Sequence, residues 1–204
     1  MSETILGVHS SVRPGVIGPA TGRPMDPGLI DGHAWLTVTR DGVSTTYGLW
    51  PDDHPRVVHR GLNNGVGSDI RRGFEDDMTP AASRYYRLTP KQTATLESKL
   101  KENVHWGVTD NCSSWASSTL EAVTGQRLNA DEPYTAGVVE TPRVLGGSIQ
   151  ALERMDHTSR IASGMSGCWP SNMDCPGTRA WTTQSPPLPG RRERKASPRS
   201  TSSR

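Results

Sequence analysis

The stretch from Gly32 to Pro51, "GHAWLTVTRDGVSTTYGLWP", constrains the fold more than any other part of the chain. Two runs rich in β-branched and aromatic residues flank Asp41-Gly42, the dipeptide that best supplies the positive φ angles of a two-residue hairpin turn. The predicted strands lie near 33–40 and 43–50. With Asp41 and Gly42 as the turn, Arg40 pairs Val43, Thr37 pairs Thr46 and Trp35 pairs Gly48, and side-chain alternation then sorts the two faces. His33, Trp35, Thr37, Thr46, Gly48 and Trp50 share a mixed face, while Ala34, Leu36, Val38, Val43, Tyr47 and Leu49 form the more apolar one, expected against the core.

Helical signals follow the hairpin. After a strand at "SRYYRLT", Thr89-Pro90-Lys91-Gln92 carries a capping-box pattern with proline at the first helical position, which predicts a helix to about Glu102. In "TDNCSSWASSTLEAVTG", Asp110 is a suitable N-cap and Gly125 a suitable stop. Cys112, Trp115, Ala116, Leu120 and Val123 fall on one face, so Cys112 sits in the first turn on the buried side. A short closing helix is expected over Ser148–Met155.

The remaining chain is poorer in pattern. Residues 1–29 read as an irregular, Gly- and Pro-rich lead-in with room for one short strand. Residues 52–82 read as a long loop, a feature that in a compact domain often has a function. A folded domain is expected over 30–156, with 157–204 a mostly disordered basic tail rich in Pro, Ser and Arg.

Charge narrows the choice of partner. The net charge is +2, yet Arg191–Arg204 holds six Arg or Lys against one Glu, so the body is slightly acidic and no nucleic-acid partner is expected. The start lacks the charged-then-apolar pattern of a secretory signal, and no apolar run is long enough for membrane insertion. Cys112, Cys168 and Cys175 are an odd set, which argues against a disulfide framework and leaves at most a pairing of Cys168 with Cys175, and the six residues between those two do not fit a zinc knuckle.

Cys112 is then either a small buried residue or a nucleophile. A first-turn cysteine feels the positive end of the helix, which favours thiolate. A thiol also needs a proton acceptor, and His33, on the mixed face of a hairpin strand, is better placed than the other histidines, which are expected to be solvated. For the group that orients His33, parity favours Asp52, just past Trp50, with Thr46 further along the same face. A metal site from Asp53, His54 and His59 matches no ligand spacing, and no cofactor is called for.

Taken together, "GHAWLTV" and "DNCSSWA", in that order, resemble the permuted papain-like cysteine enzymes of the NlpC type. "YYRLTPKQTATLESKL" and "TPRVLGGSIQAL" are also similar to segments of these proteins, so the likeness covers roughly residues 30–155. With "YGLWPDDHP" included, the chain resembles antibacterial toxin domains delivered by type VI secretion. The resemblance implies an α+β fold in which a small antiparallel sheet packs against a helix carrying the catalytic Cys112 at its N-terminus, with His33 as base. The third family position, usually a polar residue on the next strand, departs from pattern and is filled from Asp52 if at all.

The implied activity is that of a cysteine amidase or endopeptidase on peptidoglycan stem peptides, acting in a target cell's periplasm. An immunity protein and a secretion-system carrier are the implied partners. Two alternatives stay open: acyl transfer or lipid hydrolysis on the same permuted fold, as in enzymes similar to lecithin retinol acyltransferase, and a non-enzymatic interaction module in which Cys112 is core.

Overall fold

The computed structural model describes residues 3–14, 32–60, 67–133 and 139–162. The chain divides into two compact units, Met1–Gly167 and Cys168–Arg204, and all described residues belong to the first. The expectations for the basic tail and for Cys168 and Cys175 lie outside the described residues.

The hairpin forms as its sequence predicts. Strand β2 (Ala34–Arg40) pairs antiparallel with β3 (Val43–Leu49), Trp35 opposite Gly48, Thr37 opposite Thr46 and Arg40 opposite Val43. Asp41 and Gly42 take φ angles of 50° and 79°, as the tight turn requires. Ala34, Leu36, Val38 and Leu49 face the main core, whereas Val43, at the far end of the same face, is exposed.

The one strand for which the lead-in had room is present, while residues 15–29 lie outside the described residues. Thr4–Ser10 is strand β1, wholly buried, and it occupies an inner position in a five-stranded antiparallel sheet of order β4-β3-β2-β1-β5, with β4 spanning Ile70–Arg72 and β5 Ala82–Leu88. "TILGVHS" shows no clean polar and apolar alternation because both of its faces are covered, so the signal of a half-exposed strand is absent. His9, expected to be solvated, is buried on this strand. Its Nδ1 lies 2.8 Å from Ser83 Oγ and its Nε2 2.8 Å from Thr37 Oγ1, and its ring stacks on Trp35.

The long loop also holds structure. Helix α1 (Pro55–His59) and β4 lie within it; β4 pairs with β3, and a satellite core of Trp50, Val57 and Phe74 fastens α1 to the end of the hairpin.

Helix α2 (Pro90–Lys99) starts from the capping box at Thr89, and α3 (Cys112–Thr124) ends at Gly125 in the left-handed conformation. The apolar face of α3, with Trp115, Ala116, Leu120 and Val123, packs on Leu6, Val8, Leu36 and Val38 of the sheet as one core. Burial of this face supplies most of the stability of a helix whose own sequence carries six Ser and Thr.

The closing helix, α4, runs over Pro142–Met155, not from Ser148. Its start is capped by Thr141, which accepts from Val144 N–H, with Pro142 at the first turn. Gly146 and Gly147 hid this start, since glycine lowers helix propensity. A Cβ on Gly146 would come within 2.1 Å of the Val12 carbonyl oxygen, so close backbone contact excludes any side chain there. The fold extends past 156: α5 (Ser159–Ala162) follows, and Thr158 Oγ1 accepts from Tyr85 N–H at 2.9 Å.

Candidate active site

Three separate segments meet at one end of the sheet. His33 precedes β2, and its backbone is tied to the turn after β1: Ser11 N–H donates to the His33 carbonyl at 2.9 Å and His33 N–H to Ser11 Oγ at 2.8 Å. Cys112 is the first residue of α3. The N-cap is Asn111, one residue later than the expected Asp110, and its Oδ1 accepts from Ser113 N–H (2.8 Å) and Ser114 N–H (3.2 Å). Asn111 Nδ2 donates in turn to the carbonyls of Val108 and Glu140, so the helix start is tied to both flanking segments.

Asp52 does not orient His33. Its carboxylate pairs with Arg71, which also reaches Asp69. Thr46 remains on the His33 face but donates to Asp76 Oδ1 at 2.8 Å. The carboxylate at the imidazole is Glu75, whose Oε1 lies 2.9 Å from His33 Nε2 and also accepts from Trp50 Nε1. Asp52 follows the strand by parity, but Arg71 on β4 captures it at the sheet's edge.

Glu75 reaches His33 from a loop, and the strand makes room for it. A Cβ on Gly48 would meet Glu75 Oε1 at 2.0 Å and His33 Nε2 at 2.7 Å, so only glycine allows the carboxylate to cross β3. The loop is held in turn by Arg56 of α1, which donates to the Phe74 carbonyl and to both oxygens of Asp77. The one available sequence signal was indirect: Phe74, the single phenylalanine of the chain, marks a loop segment that must be buried.

His33 Nε2 is committed to Glu75, and the Cys112 thiol is the other side chain whose hydrogen bonding and charge act on the ring. Burial alone would strip the proton from His33. The hydrogen bonds to Cys112 and Glu75, with the charges of both, outweigh it and raise the pKa to about 9. Burial likewise opposes the thiolate, yet the hydrogen bond and charge of His33, joined by the Ala34 backbone amide, hold the Cys112 thiol below its ordinary value. Each residue therefore favours the charged form of the other, which biases the pair toward thiolate and imidazolium.

Both residues open onto a cavity of about 160 Å³. Its walls are largely apolar, from Leu49, Trp50, Pro51, Trp106, Val108 and Pro142, with Asn111, Glu140 and His54 as polar points. Trp50 lies against His33 with the rings tilted and their centroids 3.9 Å apart, and His54 meets Trp50 edge-on at 4.4 Å. The grouping of Asp53, His54 and His59 does not converge: Asp53 and His59 are exposed, and His54 turns inward to the cavity. Among the described residues no three His, Cys, Asp or Glu side chains gather as a metal site.

Compared with family models, with curated proteins and with solved structures, the chain matches none. What the chain has is an α+β fold, a five-stranded antiparallel sheet with a few helices, and a buried Cys-His-Glu array at the floor of an apolar cavity.

Proposed function

We propose that the protein is a cysteine hydrolase of the permuted papain-like, NlpC type that cleaves amide bonds in peptidoglycan stem peptides. The observation that supports this most is the linear array of Cys112, His33 and Glu75 opening on the cavity: a nucleophile, its proton carrier and a carboxylate that orients the carrier. The substrate class rests on the likeness of the His33 and Cys112 segments to that family. The antibacterial role, delivery by a secretion-system carrier and protection of the producing cell by an immunity protein rest on the same likeness.

In the reaction the Cys112 thiolate attacks the amide carbonyl carbon, forming a C–S bond while the carbonyl π pair moves to oxygen. The tetrahedral adduct collapses by breaking the C–N bond, and imidazolium His33 gives its proton to the departing amine. Water, deprotonated by His33, then attacks the thioester; the C–S bond breaks, the acid leaves and the thiolate returns. Glu75 holds the ring in position and stabilises its charge throughout. The backbone amide of Cys112 is available to the oxyanion, since no described group accepts from it.

The apolar cavity wall favours a second reading, acyl transfer or lipid hydrolysis by the same thiol. Purified peptidoglycan incubated with wild type and with Cys112→Ala, then analysed by mass spectrometry, separates the two. New muropeptides from wild type alone are expected. Intact muropeptides, with thiol-dependent turnover of an acyl ester, would move the assignment to the second reading. Equal behaviour of wild type and variant would remove the enzyme altogether.

A further inference from the structure

The helix that carries Cys112 has little left to offer a developing oxyanion. The amides of Ser113 and Ser114 are both consumed by Asn111 Oδ1, and the Trp115 amide bonds to the Asn111 carbonyl. Only the Cys112 amide remains in the first turn. A tetrahedral intermediate in a cavity with apolar walls requires more than one donor, because each is strengthened by the exclusion of water and few alternatives exist.

His54 has the properties of the missing donor. It lines the same cavity as Cys112, and its ring is fixed edge-on against Trp50, which itself lies tilted against His33. Its Nδ1 accepts from the Arg56 backbone N–H at 3.2 Å, capping α1. That bond requires an unprotonated Nδ1, so a neutral ring carries its hydrogen on Nε2, and no described group accepts from it. Burial, with the positive charges of His33 and Arg56, keeps the ring below its ordinary pKa and hence neutral. The cap alone does not explain histidine, because Ser, Asp or Asn performs it better.

We propose that His54 is a catalytic residue whose Nε2–H, with the Cys112 backbone amide, forms the oxyanion hole. When the thiolate adds to the carbonyl carbon, the π pair moves onto oxygen, which accepts from both donors. His54 neither loses its proton nor forms a covalent bond.

The proposal rests on the cysteine-hydrolase reading, and two reactions of the thiol distinguish their failures. Alkylation by iodoacetamide displaces iodide at a saturated carbon and develops no oxyanion, so it reports only the Cys112 and His33 pair. Acylation by p-nitrophenyl acetate transfers acetyl to Sγ, releases p-nitrophenolate and passes through an oxyanion. His54→Asn retains a capping atom at the position of Nδ1 and removes the outer nitrogen. It is expected to slow acylation by about 10²-fold and to leave the alkylation rate and its pH profile within twofold. His54→Gln, which restores an N–H near the outer position, should recover at least part of the loss. Wild-type acylation rates in His54→Asn, or a parallel fall in alkylation, would overturn the donor role. A wild-type Cys112 that alkylates like an ordinary thiol would overturn the cysteine-hydrolase reading, and the donor role with it.

Discussion

At the scale of single residues, the site depends on one carboxylate that reaches its partner through a gap in a strand. Glu75→Gln removes the charge that helps keep His33 protonated, and the thiol loses the benefit of the imidazolium. The midpoint of Cys112 ionisation, followed by iodoacetamide alkylation against pH, should rise by about one unit or more. Gly48→Ala should do the same by displacing Glu75, with overpacking of about 1–3 kcal/mol added, whereas Asp52→Asn, which disturbs only the Arg71 pair, should leave the profile in place. A shift in Asp52→Asn and none in Glu75→Gln would restore the orienting role expected from strand parity. Cys112 and His33 were legible in the sequence because a helix start and a strand register each fix where a side chain points. Glu75 was not, because a loop residue has no period, and Asp76 and Asp77 beside it offer the same chemistry.

At the scale of elements, regular patterns were readable where one face meets solvent and hidden where packing covers both. The hairpin was legible down to individual pairs, and α3 down to its buried face. Strand β1 was obscured because covered strands do not alternate, and the first turns of α4 because Gly146 serves a close contact with the Val12 backbone instead of helix propensity. Asn111 is the hinge between element and site, since it caps α3 and also grips Val108 and Glu140. Asn111→Ala should cost about 1–2 kcal/mol in urea unfolding at unchanged m value. An unchanged midpoint would show that the cap at α3 carries no stability.

At the scale of the whole molecule, the α+β class and small antiparallel sheet were what the family resemblance implied, and β1 completes the sheet by joining the hairpin to β5. Burial holds His9 on that strand at a pKa of about 4, against an ordinary 6.5. The unfolded chain therefore binds a proton that the folded one refuses. Stability from this group is complete above pH 6.5 and declines as pH falls toward 4, by about 3 kcal/mol in all. His9→Gln should flatten this part of the acid slope in urea titrations between pH 7 and 4; an identical slope in the variant would show that His9 does not set it. The site has a further consequence for how the protein comes into being. Synthesis delivers His33 first, Glu75 next and Cys112 last, and the thiol has no imidazolium beside it until the helix following it has docked on the sheet. A nascent chain thus carries an ordinary, slow sulfur, and the reactive one appears only with the finished fold.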